Sequence, residues 1–258
     1  MALLRIDHTP ETVKVNLPLN IILPDPGQMQ GIPVAQRKVL YLLHGLSDDG
    51  SAWQRYSSIE TLANAYGLVV VMPSAGRSFY MDQPNGQQYF SYLTEELPQY
   101  LNDVFGLTPR REDTLIAGNS MGGYGAIKAA LLFPERYAWA ASFSGVLSLA
   151  VLTAIPNDPR QAEFALLFGD LDQLAGSEHD PAVWLQRATQ NPDRLPQLFI
   201  SVGRQEDLYP LSGQFHAACQ SLGIQSTYHE EDGEHDWFLW ARLIRLYLEA
   251  CLGPIPAA

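Results

Sequence analysis

A three-layer α/β sandwich, with a mostly parallel central sheet, antiparallel strands at its N-terminal end and a small cap insertion, is the fold class that this 258-residue sequence predicts. Three observations carry it. Short, nearly continuous apolar runs recur along the chain, segments with helical spacing alternate with them, and Gly and Pro punctuate the joints. With 47% hydrophobic residues, the chain can bury one good core and is short for two, so residues 1–258 are expected to form a single domain.

Taken in order, residues 12–23 alternate Val13, Val15, Leu17, Leu19 and Ile21 with polar partners, as half-exposed antiparallel strands do. Beyond residue 38, the runs 39–43, 68–72, 114–117, 138–143 and 198–202 read as strands buried on both faces of a parallel sheet, and 225–230 as one more strand. Residues 59–66, 93–105, 121–133, 211–222 and 237–251 carry helical spacing. The segment from about 146 to 195, rich in Pro, Asp and Gln, breaks this rhythm and reads as a cap over the C-terminal edge of the sheet. Residues 137–155 lack charge over a bilayer's width, yet Ser142, Ser144, Gly145 and Ser148 interrupt them, so a buried strand and then a turn are predicted.

Sixteen Lys and Arg against 28 Asp and Glu give a net charge of −12, a field that repels nucleic-acid backbones and anionic lipid. Nucleic acid and membrane are therefore excluded as partners. Cys219 and Cys251 form no pairing pattern and read as core thiols, while Arg5 and Asp7 interrupt any leader, so a cytoplasmic location is expected.

Chemistry in such a sheet gathers where strands end. After the run 114–117 comes Gly118-Asn119-Ser120-Met121-Gly122, a G-x-S-x-G pattern between a strand and an apolar helix. Flanking glycines let strand and helix nearly touch, which lifts the Ser120 hydroxyl clear of the backbone as a nucleophile. A serine needs a base, and the base needs an acid to hold its tautomer. Of the histidines beyond Ser120, His179 lies in the cap and His216 within a helix; His235, in the loop before the last helix, is the expected base, with His229 as the alternative. The loop after the run 198–202 holds Glu206 and Asp207 side by side. Asp207 is the expected acid and Glu206 the reserve.

Backbone N–H groups of Leu46, in the turn His44-Gly45-Leu46, and of Met121 are the natural donors for an oxyanion. His44 itself reads as shaping that turn. The aromatic residues Trp53, Phe79, Tyr80 and Trp237 are candidates to line a substrate pocket, in competition with a purely structural role. No metal-ligand or nucleotide-binding motif is present, and neither metal nor cofactor is expected.

Together, His44-Gly45-Leu46, Gly118-Asn-Ser-Met-Gly-Gly-Tyr-Gly125, Glu206-Asp207 and Gly233-Glu-His-Asp-Trp237 resemble the esterase D group of the α/β-hydrolases, with tributyrin-esterase-type short-chain carboxylesterases the nearest likeness. The resemblance implies an α/β-hydrolase domain, Ser120, Asp207 and His235 as a triad, Leu46 and Met121 as oxyanion donors, and hydrolysis of small acyl esters through an acyl-enzyme without a cofactor. The same group holds feruloyl and acetylxylan esterases, S-formylglutathione hydrolases and mycolyl transferases. Formylglutathione hydrolases usually carry a cysteine shortly after the His-Gly turn, where Ser47-Asp48-Asp49 stand here. The implied partner is a small-molecule ester, and self-association into a homo-oligomer is left open.

Overall fold

The computed structural model describes residues 1–83, 86–154 and 158–255. The chain enters through an antiparallel pair, β1 (Ala2–His8) and β2 (Leu17–Leu23), and continues with β3 (Val39–Leu43), α1 (Ala52–Tyr56), α2 (Ile59–Tyr66) and β4 (Val69–Pro73). Next comes α3 (Tyr89–Ser91), which runs through a π turn into α4 (Leu97–Phe105), then β5 (Thr114–Asn119), α5 (Met121–Leu132) and β6 (Trp139–Phe143). After α6 (Val151–Ala154), α7 (Gln161–Phe168) and α8 (Pro181–Ala188), the order closes with β7 (Gln197–Gly203), α9 (Tyr209–Ser221), β8 (Ser226–Glu231) and α10 (Trp237–Leu252).

The strands form one sheet in the order β1-β2-β4-β3-β5-β6-β7-β8. Strands β3 to β8 are parallel, and β2 runs antiparallel to both β1 and β4. Every residue of β3 and β4 is buried, which is why these strands read as continuous apolar runs. Their side chains alternate between two cores. Val39, Tyr41 and Leu43 face the layer of α4 and α5, whereas Leu40 and Leu42 meet Trp53, α2 and the Leu239–Leu248 stripe of α10.

Two elements differ from expectation. The strand predicted over 12–23 begins only at Leu17, because the Val13 and Lys14 N–H groups both donate to the Pro10 carbonyl and Lys14 takes φ 59° in a tight turn. Nor is β2 half-exposed, since β1 covers its outer edge and Leu19, Ile21 and Ile22 are fully buried. The covering strand β1, mostly exposed and carrying Arg5 and Asp7, had only the short alternation of Leu4 and Ile6, which pack on the core, to reveal it. Residues 139–143 of the charge-free stretch form the buried strand β6, while Ile155 lies outside the described residues. Among the described residues, no helix is long and apolar enough to cross a membrane.

The segment expected to be a cap divides in two, with residues 155–157 outside the described residues. Val146, Val151, Leu152, Arg160 and Phe164 roof a cavity at the C-terminal edge of the sheet. By contrast, α8 is an outer-layer helix packed on α5. Asp180 caps it by accepting from the Ala182 N–H, and Pro181 starts its first turn. The buried Trp184 meets the Tyr124 ring edge to face at 4.9 Å, and its indole N–H donates to the Glu178 carbonyl at 2.7 Å. Trp184→Ala therefore removes core and not lid, and should lower unfolding free energy by about 3–5 kcal/mol in urea titration. A loss below about 1 kcal/mol would mean that α8 is detachable.

Candidate active site

The site begins at the joint between β5 and α5. Ser120 has φ 53° and ψ −118°, a conformation that costs a non-glycine residue about 1–3 kcal/mol and persists only where the surroundings enforce it. They do so through contact. A Cβ on Gly118 would lie 2.5 Å from the Gly122 carbonyl, and one on Gly122 would lie 2.5 Å from the Leu43 carbonyl oxygen. The Ser120 N–H donates to the Phe143 carbonyl at 2.9 Å. The ends of β3, β5 and β6 thus converge on the first turn of α5.

Above this turn, Ser120 Oγ lies 3.0 Å from His235 Nε2, and His235 Nδ1 lies 2.7 Å from Glu206 Oε2. The Glu206 side chain is fully buried. Its other oxygen, Oε1, accepts from the Gly203 N–H at 2.7 Å and from the Ser144 hydroxyl at 2.6 Å, and Ser144 Oγ accepts in turn from the Trp240 indole N–H at 3.0 Å. A buried carboxylate is tolerated when its oxygens are bonded in this way, and an anion on Nδ1 fixes the tautomer that leaves Nε2 free to accept the serine proton. The Trp240 ring also meets the imidazole edge to face at 5.0 Å.

The carboxylate that meets His235 is therefore Glu206, and not Asp207 as expected. After β7 the chain turns tightly, with the Glu206 N–H donating to the Gly203 carbonyl and Tyr209 N–H to the Glu206 carbonyl. This turns Glu206 inward over the Gly203 N–H, while Asp207 is exposed on the wall of the cavity. His235 takes the expected place, whereas His229 is bound to Glu231 at 3.0 Å and His216 to Ser226 at 2.8 Å. Ser144 and Trp240, which hold Glu206, had no motif to mark them.

Leu46 and Ser120 share the cavity, and Met121, first residue of α5, has an N–H with no partner inside the helix. The turn that carries Leu46 is heavily braced. The Tyr80 hydroxyl accepts from the His44 N–H at 2.9 Å and donates to the His44 carbonyl, and the Trp53 indole donates to the Leu43 carbonyl at 2.9 Å. Of the four aromatic residues expected at the pocket, only Phe79 lines it. Trp53 and Tyr80 are buried braces, and Trp237 packs edge to face on Trp53 and Trp240 at 4.9 and 5.2 Å. The polar ring atoms of Trp53 and Tyr80 serve backbone groups and that of Trp237 serves the Asp48 side chain, so these rings are spent on the scaffold.

The cavity measures about 240 Å³ and is walled chiefly by Leu46, Phe79, Val146, Leu152, Phe164 and Leu208. A larger one of about 480 Å³, by Thr114 at the start of β5, holds no serine–histidine pair. Among the described residues, no group of His, Cys, Asp and Glu could hold a metal ion. Burial pushes the Cys219 and Cys251 thiols up to about 12, too high for thiolate chemistry.

Residues 11–246 match the family model described as "Putative esterase". An acetyl esterase of Caldicellulosiruptor saccharolyticus is 30% identical over 254 residues, which cover 95% of this chain and 96% of the relative. A substrate-bound fluorophosphonate-binding serine hydrolase of Staphylococcus aureus is similar in structure, with a TM-score of 0.88 and 31% identity over 98% of this chain and 99% of that one. The apoenzyme of an S-formylglutathione hydrolase from the same organism reaches 0.86 at 31% identity over 97% and 98%.

His44 carries a consequence for stability. It is fully buried, its Nε2 accepts from the Ala75 N–H at 2.9 Å and its Nδ1 donates to the Gly45 carbonyl at 2.7 Å, an arrangement open only to the neutral ring. Burial pushes it down to about 4. Between about 4 and the ordinary 6.5 the unfolded chain binds the extra proton, so this contribution is whole above 6.5 and is lost as pH falls toward 4. Acidifying from about pH 7.5 to 5 should remove about 2 kcal/mol through this group, and urea titrations of His44→Gln should show a correspondingly flatter pH dependence. Equal slopes in the two proteins would refute the neutral buried imidazole.

Proposed function

The chain belongs to the putative-esterase family of α/β serine hydrolases and is a carboxylic ester hydrolase, and from that premise we propose that it cleaves small acyl esters with Ser120, His235 and Glu206 as its catalytic triad. The observation that carries this reading is the unbroken chain from the Ser120 hydroxyl through His235 to the buried Glu206, at 3.0 and 2.7 Å.

In the proposed cycle, Ser120 Oγ attacks the ester carbonyl while His235 Nε2 takes its proton, and Glu206 steadies the imidazolium that forms. The Met121 and Leu46 N–H groups receive the oxyanion, aided by the N-terminal end of α5. His235 then gives the proton to the departing alcohol, and water repeats the steps on the acyl-enzyme to release the acid. The modest volume and apolar walls of the cavity support short acyl groups, as do relatives whose names carry acetyl and formyl groups. A reducing, cytoplasmic setting agrees with two unpaired cysteines, and a small-molecule ester as partner, in place of nucleic acid or an anionic membrane, agrees with the net charge of −12.

Hydrolysis of p-nitrophenyl acetate through laurate, beside a feruloyl ester, acetylated xylan oligomers and S-formylglutathione, tests the substrate class. The rate should peak at short acyl chains, and dominance of the aryl ester or the thioester would replace it. Ser120→Ala should lower turnover by about 10³ to 10⁶ with the fold unchanged. Glu206→Gln, which upsets the tautomer, should cost about 10³ to 10⁴ in kcat, and Asp207→Asn less than about ten-fold. The reverse order for these two carboxylates would return Asp207 to the triad.

A further inference from the structure

On the flank of α5, separate from the ester site, lies an open cleft of about 350 Å³ whose wall includes Lys128. This chain has three lysines, Lys14, Lys38 and Lys128, and the last is only 7% exposed. Its ammonium sits 4.0 Å from the centre of the Phe90 ring and makes no hydrogen bond or ion pair among the described residues. With most of the side chain buried, the ammonium meets solvent only through the cleft, and the face of one aromatic ring offsets only part of the cost of that desolvation. Burial accordingly pushes Lys128 down to about 8, against the opposing influence of Asp82 and Glu178.

The other polar groups of the cleft leave an opening for an anion. Asp82 is turned toward the start of α3, where it accepts from the Phe90 N–H at 2.8 Å, the Ser91 N–H at 2.9 Å and the Ser91 hydroxyl at 2.7 Å. Arg187, exposed at the rim, has no ion pair among the described residues. Burial and the neighbouring Lys128 lower His179, which therefore offers a neutral N–H. Glu178 is exposed at the mouth. Gln88, also on the wall, spends its amide N–H groups on the Gln83 and Gly86 carbonyls. Two cations thus face a space walled further by Gln83, Gln88 and an apolar patch of Phe90, Leu132 and Met81.

We propose that this cleft is a second binding site, taking a small monocarboxylate whose carboxyl group is received by Lys128 and Arg187 and whose short hydrocarbon tail lies against Phe90 and Leu132. Asp82 and Glu178 at the same cleft disfavour a dianion such as phosphate, and the patch of Phe90, Leu132 and Met81 favours a short aliphatic tail. The site does not depend on the identity of the triad.

The test reads Lys128 itself in the intact protein. Sodium cyanate carbamoylates free amines, and mass spectrometry reports the rates at Lys14, Lys38 and Lys128 separately. Sodium butyrate at saturation should slow reaction at Lys128 by about ten-fold and leave Lys14 and Lys38 unchanged, and inorganic phosphate at equal ionic strength should not protect. In Arg187→Met, a rim substitution away from the catalytic groups, the same protection should need about ten-fold more butyrate. An unprotected Lys128, equal protection by phosphate, or protection indifferent to Arg187 would each overturn the proposal.

Discussion

The contact between the ends of three strands and the first turn of α5 is the constraint on which the rest of the site depends. With hydrogen alone on Gly118 and Gly122, the backbone of β5 reaches the helix and the helix reaches the Leu43 carbonyl of β3. That closeness leaves Ser120 no conformation but its strained one, at φ 53°. It also positions the loops at the strand ends, the Leu46 turn beyond β3 and Ser144 beyond β6. Strain of about 1–3 kcal/mol is held because several close contacts determine the same geometry at once.

A second constraint is the buried carboxylate of Glu206. It joins Gly203 at the end of β7, Ser144 beyond β6 and His235 before α10, and through Ser144 it reaches Trp240 within α10. Ser144 accepts φ 51° to bring its hydroxyl there. Removing any one donor would leave an ion buried and underbonded, which costs more than the bond itself contributes. Aromatic residues serve the same end. Trp53, Tyr80 and Trp240 act as rigid mounts whose N–H or O–H groups hold catalytic loops, which leaves the pocket wall to Phe79 and Phe164.

The two parts of the cap segment are held by different forces. Over the cavity, α7 is tied to the loop beyond β4 by the Arg77–Glu163 pair at 2.5 and 2.7 Å, and Arg160 is clamped on Asp158 and lies 5.4 Å from the Phe164 ring. Partly exposed ion pairs of this kind contribute about 0–1 kcal/mol each. The seat of α8 on α5 instead buries Trp184 beside Tyr124, a contact several times stronger. The roof is thus the more weakly fastened half, as suits a surface that must admit and release small molecules.

Period and punctuation are properties of neighbouring residues, so the sequence determined them unaided. Strands buried on both faces stood out as apolar runs, α2 and α5 as helical spacing, and the Ser120 joint as glycines that no other geometry requires. His235 was legible for the same reason, lying in a loop between a strand and a helix. The edge strand β1 was not, because its inner face carries only Leu4 and Ile6, too short an alternation to stand out. Choosing between Glu206 and Asp207, adjacent acids of equal local promise, required the direction of two side chains. Only tertiary structure decided that, through the Gly203 N–H, Ser144 and His235, brought together from distant parts of the chain. The aromatic residues obeyed the same rule: composition marked Trp53, Tyr80 and Trp237 as pocket candidates, and distant backbone groups and rings claimed them for the scaffold, because a buried hydrogen-bonding atom must find its partner wherever the fold supplies one.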